Sequence, residues 1–170
     1  MSVFRGIAHV YGDNIDTDRI IPGKYTKTLD AQTLAAHVLE DLDPNFAGRV
    51  RPGDVFVAGY HFGAGSSREQ AAIALKVAGI SVVIARSFAG IFYRNAINIG
   101  LPLVEAPDHA ILDGHCVCVD LEQGLVVDET SGCVYRSARM PPVMVAILRA
   151  GGLVNYLRQY GDYEMECEAT

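Results

Sequence analysis

Basic residues are scarce in this sequence: 14 Lys and Arg stand against 20 Asp and Glu, for a formal charge of −6. Binding a phosphate backbone takes clustered Lys and Arg, so nucleic acid is excluded as the expected partner. Any anion bound by this chain must be met by a few local donors. No run of about 18 apolar residues occurs, which excludes a membrane-spanning helix. The opening stretch MSVFRGIAHV has neither the basic segment nor the apolar core of a secretory signal, so the expected location is cytoplasmic. Cysteine is sparse as well. Cys116, Cys118, Cys133 and Cys167 all lie in the last third, and a C-x-C pair with two distant partners matches no common zinc or iron–sulfur spacing. In a reducing compartment they are expected as free thiols. The five histidines are dispersed, with no H-x-x-x-H helix face. No metal site and no cofactor are therefore assigned to this chain.

What the sequence does have is apolar residues enough for one substantial core: half of 170 residues are hydrophobic, too few for two comfortable domains. A single domain over 1–170 is expected, with 161–170, ending EMECEAT, as a frayed acidic tail. Residues 2 to 9, SVFRGIAH, read as a strand, followed by the polar loop GDNIDTDRIIPGKYTKT. Asp30 can cap a helix running to about Leu39, with Leu34, Ala35, Val38 and Leu39 on its apolar face. DPNFAGRVRPGD, residues 43 to 54, reads as a connector. VFVAGY (55 to 60) and SVVIA (81 to 85) are continuous apolar runs of the kind found in strands covered on both faces. The helical segment SREQAAIALKVAG between them ends on the stop signal Gly79. Strand, helix, strand makes a βαβ unit with a parallel pair, whose ligands gather beyond the carboxyl ends of the strands.

The segment SFAGIFYRNAINIGLPLV reads as a short helix returning as a strand near Leu101 to Val104. HCVCVD, GLVVD and CVYRS read as small antiparallel strands, and MVAILRAGGLVNYLRQY as a closing helix broken at Gly151 and Gly152. The fold class is α/β, with a partly parallel central sheet and helices packed on it.

The chemistry concentrates in GAGSSREQAA, residues 63 to 72, at the expected ligand edge. Ser66 followed three residues later by Glu69 fits a capping box, in which each side chain satisfies a free helix-start N–H. The same stretch fits an acid-binding site, because helix N-termini attract carboxylates and Arg68 offers a bidentate fork. It is not a P-loop, which needs a Lys beside the Ser or Thr, nor a G-x-S-x-G nucleophile elbow. Two further polar clusters lie at loop or strand-end positions, DNIDTDR (13 to 19) and RSFAGIFYRN (86 to 95). Taken alone, Asp16 and Asp18 read as turn formers. Arg94 and Asn95 read either as carboxylate binders or, the favoured reading, as braces for the returning strand. Tyr25, Phe88, Phe92 and Tyr93 read as core or interface aromatics.

DTDRIIPGKY, FGAGSSREQAA and SFAGIFYRNAINIGLP, in this order and spacing, resemble the swivelling domain of the aconitase superfamily. The match is to the separate small-subunit form found in 3-isopropylmalate dehydratases, and its motifs span roughly residues 3 to 105. The resemblance implies a swivel-type β/β/α domain and a hydro-lyase of leucine biosynthesis in which this chain is half of the active site. It implies a large subunit, in a heterodimer or heterotetramer, that carries a [4Fe–4S] cluster on three cysteines with one iron open to substrate. It further implies Ser66 as the base that removes the Cα proton, Ser67 as a hydrogen-bond donor to substrate and Arg68 as the carboxylate clamp. Asp18 would organise the serine and its partners.

In that family the loop after the DTD strand reaches toward the variable substituent of a di- or tricarboxylate substrate, which here brings in Thr26 and Lys27. Isopropylmalate is the favoured substrate. Lys27 keeps a homoaconitase-like or other malate-type dehydratase open, since a basic residue there suits an extra carboxylate. From a different class, a stand-alone dicarboxylate-binding module would use the same helix end without any partner.

Overall fold

The two apolar runs, VFVAGY and SVVIA, become the paired centre of a seven-stranded sheet in the computed structural model, which describes residues 2–28 and 30–161. Strand β1 is Val3–Val10, β2 Val55–Val57, β3 Val82–Ala85, β4 Leu103–Glu105, β5 Cys116–Asp120, β6 Leu125–Asp128 and β7 Cys133–Arg136, in the spatial order β4-β3-β2-β1-β5-β6-β7. β1 through β4 pair in parallel, with Ala8 beside Val55, Val55 beside Val82 and Val83 beside Leu103. On the other side of β1, β5 to β7 continue as an antiparallel meander. The sheet is therefore half parallel and half antiparallel, as its sequence patterns require.

Side chains that alternate along β2 and β3 feed two separate cores. Phe56, Val83 and Ala85 pack under helices α2 (Ala31–Ala36), α4 (Glu69–Ala78) and α5 (Gly90–Asn98), together with Leu34, Leu75 and Phe92. Val55, Val57, Val82 and Ile84 belong instead to a cluster with Val117, Val119 and Val126 of β5 and β6. The antiparallel half thus curls back over the second face of the parallel half. That curl is why β2 and β3 are buried throughout and carry no polar alternation.

Helix punctuation falls close to the expected residues. Asp30 caps α2 by accepting from Gln32 N–H at 3.1 Å, although the helix is shorter than expected and continues as turns through Leu39. Gly79 ends α4 at φ +121°. Gly151 and Gly152 separate α6 (Pro142–Arg149) from α7 (Leu153–Tyr160). The connector at 43–54 is not featureless: one helical turn, α3 (Phe46–Arg49), buries Phe46 completely. A further turn, α1 (Thr17–Ile20), lies within the DTD motif and is capped by Asp16, which accepts from Arg19 N–H at 2.9 Å. The acidic tail, residues 162–170, and Cys167 within it lie outside the described residues.

Candidate active site

Three loops leave the carboxyl ends of β1, β2 and β3, and a second tier of backbone bonds ties them together beyond the strands. Gly59 N–H donates to the Gly12 carbonyl (3.0 Å), Asn14 to Tyr60 (2.8 Å), Gly63 to Ile15 (2.8 Å) and Thr17 to Ala64 (2.9 Å). On the opposite side Phe62 donates to Ser87 (3.0 Å) and Ala89 to Phe62 (2.9 Å). The middle loop, residues 58–68, is thereby fixed on both flanks. Its base is tied as well: buried His109 donates Nε2–H to the Ala58 carbonyl at 2.8 Å. Burial pushes the His109 imidazole below its usual range, with the Arg86 cation adding to the shift against the bond to Ala58. The shift favours the uncharged ring, and among the described residues its buried Nδ1 has no hydrogen-bond partner.

The loop reaches the start of α4 through Gly63 and Gly65, at φ +82° and +94°. A Cβ on Gly63 would lie 2.3 Å from Cγ of Phe92, so only glycine lets the backbone pass the α5 aromatic. The segment Ser66-Ser67-Arg68 then sits at the N-terminus of α4, where unpaired first-turn donors supply partial positive charge. The Thr17 hydroxyl, 2% exposed, donates to the Ser66 carbonyl at 3.0 Å and pins the turn from below. The Ser67 hydroxyl accepts from Asn95 Nδ2 at 3.2 Å. Arg68 reaches across to α1, where its Nη1 donates to the Asp18 carboxylate. The guanidinium passes over Gly23, of the 3-10 turn Gly23–Tyr25. Ser66 is exposed, and among the described residues no hydrogen bond engages its hydroxyl.

These groups line a small pocket of about 150 Å³ that includes Thr17, Ser66, Ser67, Arg68 and Asn95. A larger cavity of about 510 Å³ lies against α6 and α7 at Arg139, Arg149 and Tyr160. Size does not decide between them, because of the two only the smaller one brings a guanidinium, the hydroxyls of Thr17, Ser66 and Ser67, and a helix N-terminus to one point. Such a combination is chemically suited to a carboxylate, and it leaves the Ser66 hydroxyl beside it uncommitted.

Comparison with known proteins follows the same geometry. A family model described as the aconitase C-terminal domain matches residues 42–108, which run from the connector through β4 and include the middle loop. The chain is 53% identical to 3-isopropylmalate dehydratase small subunit 1 of Methanopyrus kandleri, covering 96% of this chain and 98% of that protein. It is 52% identical to 3-isopropylmalate dehydratase small subunit 2 of Archaeoglobus fulgidus, over 94% and 98% of the two chains. The crystal structure of a 3-isopropylmalate dehydratase chain from Methanocaldococcus jannaschii superposes with a TM-score of 0.89 at 48% identity, covering 94% of this chain and 95% of that one. The chain belongs to the 3-isopropylmalate dehydratase small-subunit family. The resemblance carried by three motifs in the first 105 residues therefore holds along nearly the whole length.

In this small-subunit chain the sequence-expected residues are not all gathered at one point. Ser66, Ser67 and Arg68 share the pocket, and Asp18 joins them through Arg68 rather than through Ser66. Thr26 and Lys27 lie on the neighbouring 22–28 loop, outside the pocket lining. The Thr26 hydroxyl donates to the Gly23 carbonyl at 2.8 Å, while its own carbonyl accepts from Gln70 Nε2 of α4 at 2.9 Å. Lys27 is exposed. Tyr25 anchors this loop by stacking on His37, with ring centroids 4.1 Å apart.

Of the two readings of the Ser66 stretch, the capping box is the one the helix start does not form. The N-cap of α4 is Arg68, two residues beyond Ser66, and no side chain caps the helix. With Gly65 at positive φ and Thr17 holding the Ser66 carbonyl, the turn is completed before the helix begins. Of two residues that complete the site, Thr17 had no assigned role in the sequence reading, and Asn95, read there as a strand brace or a carboxylate binder, instead directs its amide to the Ser67 hydroxyl. Each sits in a polar cluster that the reading singled out, at DTD and RSFAGIFYRN.

Cys116, Cys118 and Cys133 are free thiols. Burial raises the first two above the usual thiol range, and Glu129 adds to the effect. All three stand on the antiparallel half of the sheet, and no group of three His, Cys, Asp or Glu among the described residues is placed to hold a metal ion. These residues do not fit an iron–sulfur cluster. No helix of the described residues is long and apolar enough to cross a membrane.

Proposed function

We propose that this chain is the small subunit of a cytoplasmic 3-isopropylmalate dehydratase. It joins a large subunit bearing the iron–sulfur cluster, and the pair interconverts 2- and 3-isopropylmalate by dehydration and rehydration in leucine biosynthesis. The observation that carries the reading is the uncommitted Ser66 hydroxyl, held by its own backbone beside Arg68 and the α4 N-terminus. Arg68 takes a substrate carboxylate with the N–H groups that Asp18 leaves free, since a guanidinium has five. Asp18 keeps the fork extended across the gap between α1 and α4. Ser67 donates to the same end of the substrate. Ser66 removes the proton α to that carboxylate, and the charge that builds on the carboxylate is met by the guanidinium and the helix end. A serine hydroxyl is a weak base, and the positive helix end with its cationic neighbour is what favours its deprotonated form. Thr26 and Lys27, one loop away, face the substituent that distinguishes one malate from another.

The test is reconstitution with a cluster-bearing large subunit of the same family, followed by turnover of 2- and 3-isopropylmalate and of homocitrate. Isopropylmalate turnover that disappears in Ser66→Ala supports the reading. Because the Ser66 side chain makes no hydrogen bond among the described residues, this variant should keep its stability within about 0.5 kcal/mol of wild type, as for an ordinary surface substitution. Near-normal turnover in Ser66→Ala removes Ser66 from the chemistry. Preference for homocitrate would assign the substrate to the tricarboxylate class.

A further inference from the structure

We infer that Asn95 is a positioning residue that aims the Ser67 proton at the substrate. The inference rests on the reading of Ser67 as a substrate contact. A serine hydroxyl has one proton to give and two lone pairs to offer, so its direction is set by whatever engages it first. Here that partner is the Asn95 amide, with Nδ2 at 3.2 Å from Ser67 Oγ, from a residue 28 positions later in the chain. Among the described residues nothing else bonds the Ser67 hydroxyl. An amide nitrogen carries only protons, so Ser67 accepts from it. With a lone pair committed toward α5, the Ser67 proton is left for the pocket that the two residues share. A hydroxyl that accepts one hydrogen bond also donates a stronger one, and a carboxylate acceptor makes that bond charge-assisted.

Asn95 is placed to do this reliably because its helix is anchored. Phe92, one turn earlier, and Ala96 and Ile97 beside it are 2%, 0% and 4% exposed. A positioning group on a core-packed helix holds a loop hydroxyl more exactly in place than a second loop would. The sheet adds its own constraint, since Ala89, which precedes α5, is bonded to Phe62 of the middle loop at 2.9 Å. The distance between the Asn95 amide and the Ser67 hydroxyl is therefore set by backbone pairing.

The experiment uses the assembled enzyme and its isopropylmalate kinetics, with unfolding midpoints of each variant compared with wild type. Asn95→Asp keeps the shape and exchanges the proton donor for an acceptor, so Ser67 turns its proton toward α5 and the substrate loses it. KM should rise on the order of 10- to 100-fold with kcat changing much less, the pattern of a lost binding contact. The loss should shrink as pH falls and the introduced acid regains a proton to donate. Asn95→Ala, which leaves the hydroxyl unaimed rather than reversed, should cost less than Asn95→Asp. In a Ser67→Ala background, Asn95→Asp should add less than about threefold, since its target is gone.

Wild-type kinetics in Asn95→Asp, with Ser67→Ala impaired, would overturn the inference by showing that Asn95 accepts from Ser67. Full additivity of the two substitutions would overturn it too, because simple repulsion between the new carboxylate and the substrate persists without Ser67. Wild-type kinetics in Ser67→Ala would instead remove Ser67 from the substrate contacts, and the role of Asn95 with it.

Discussion

Replacing Gly63 with alanine tests the link between packing and site. At Gly63 the backbone has φ +82°, and the added Cβ would lie 2.3, 2.5 and 2.7 Å from three Phe92 carbons. Carbon atoms settle near 3.5 to 4.0 Å, so more than about 1 Å of movement is required. Phe92 cannot supply it cheaply: it is 2% exposed and meets Phe62 edge-on at a 5.2 Å centroid distance. The left-handed backbone adds about 1–2 kcal/mol for a residue with a Cβ, and overpacking a tight core about 1–3 kcal/mol. A loss of about 2–5 kcal/mol is expected, a large part of the stability of an ordinary domain. Whatever relieves the clash also displaces either the loop carrying Ser66 to Arg68 or the helix carrying Asn95, so activity should fall in the assembled enzyme. Gly65→Ala is the control. Its φ of +94° carries the same backbone penalty, but its Cβ would approach nothing closer than Thr17 Oγ1 at 3.6 Å. Urea unfolding midpoints of the two variants isolate the steric part. If Gly63→Ala costs no more than Gly65→Ala, the contact with Phe92 is not what requires glycine there.

Two further outcomes follow from the loop's attachments. Thr17→Val removes the 3.0 Å bond to the Ser66 carbonyl while nearly conserving shape. Stability should drop by about 1 kcal/mol for the lost buried bond, and turnover should fall severalfold as the Ser66 turn loosens. An unchanged unfolding midpoint in Thr17→Val would show that the bond contributes nothing. His109, whose burial lowers its pKa from 6.5, is neutral in the fold. The unfolded chain takes up a proton as pH falls through about 6.5, while the folded chain resists until its lower value is reached. The stability tied to His109 is therefore intact above pH 6.5 and is lost as pH falls through the folded value. Unfolding midpoints at pH 7.5 and 5.5 should differ more in wild type than in His109→Gln, which can still donate to the Ala58 carbonyl. Equal pH dependence in both would contradict the assignment of a buried neutral imidazole.

How far the sequence spoke for itself depended on the range of the contacts involved. Elements whose signal is local were legible: the doubly buried strands at 55–57 and 82–85, the Asp30 cap, the Gly79 stop and the Gly151–Gly152 break each express a preference of a few adjacent residues. The helical turn at Phe46–Arg49 escaped because four residues are too few for a period to show, and because its formation depends on burying Phe46 among His9, Tyr11 and Phe56. The capping-box alternative at Ser66 fails for a related reason. Ser66 and Glu69 satisfy the local capping pattern, yet the Ser66 backbone is claimed by Thr17, 49 residues earlier, and a long-range bond outweighed a local preference.

The site divides in the same way. Ser66, Ser67 and Arg68 were legible because they are consecutive, and Asp18 through the family resemblance of DTDRIIPGKY. That Asp18 meets Arg68, and that Asn95 meets Ser67, are facts about residues 50 and 28 positions apart. Their alignment is fixed by the bridges from Asp16 to Ala64 and from Phe62 to Phe88. Those bridges are made by main-chain groups, which every residue possesses, so no side-chain pattern announces them. The chemistry of this site is thus written in side chains at adjacent positions, while its geometry is set by backbone pairing that only the folded sheet reveals.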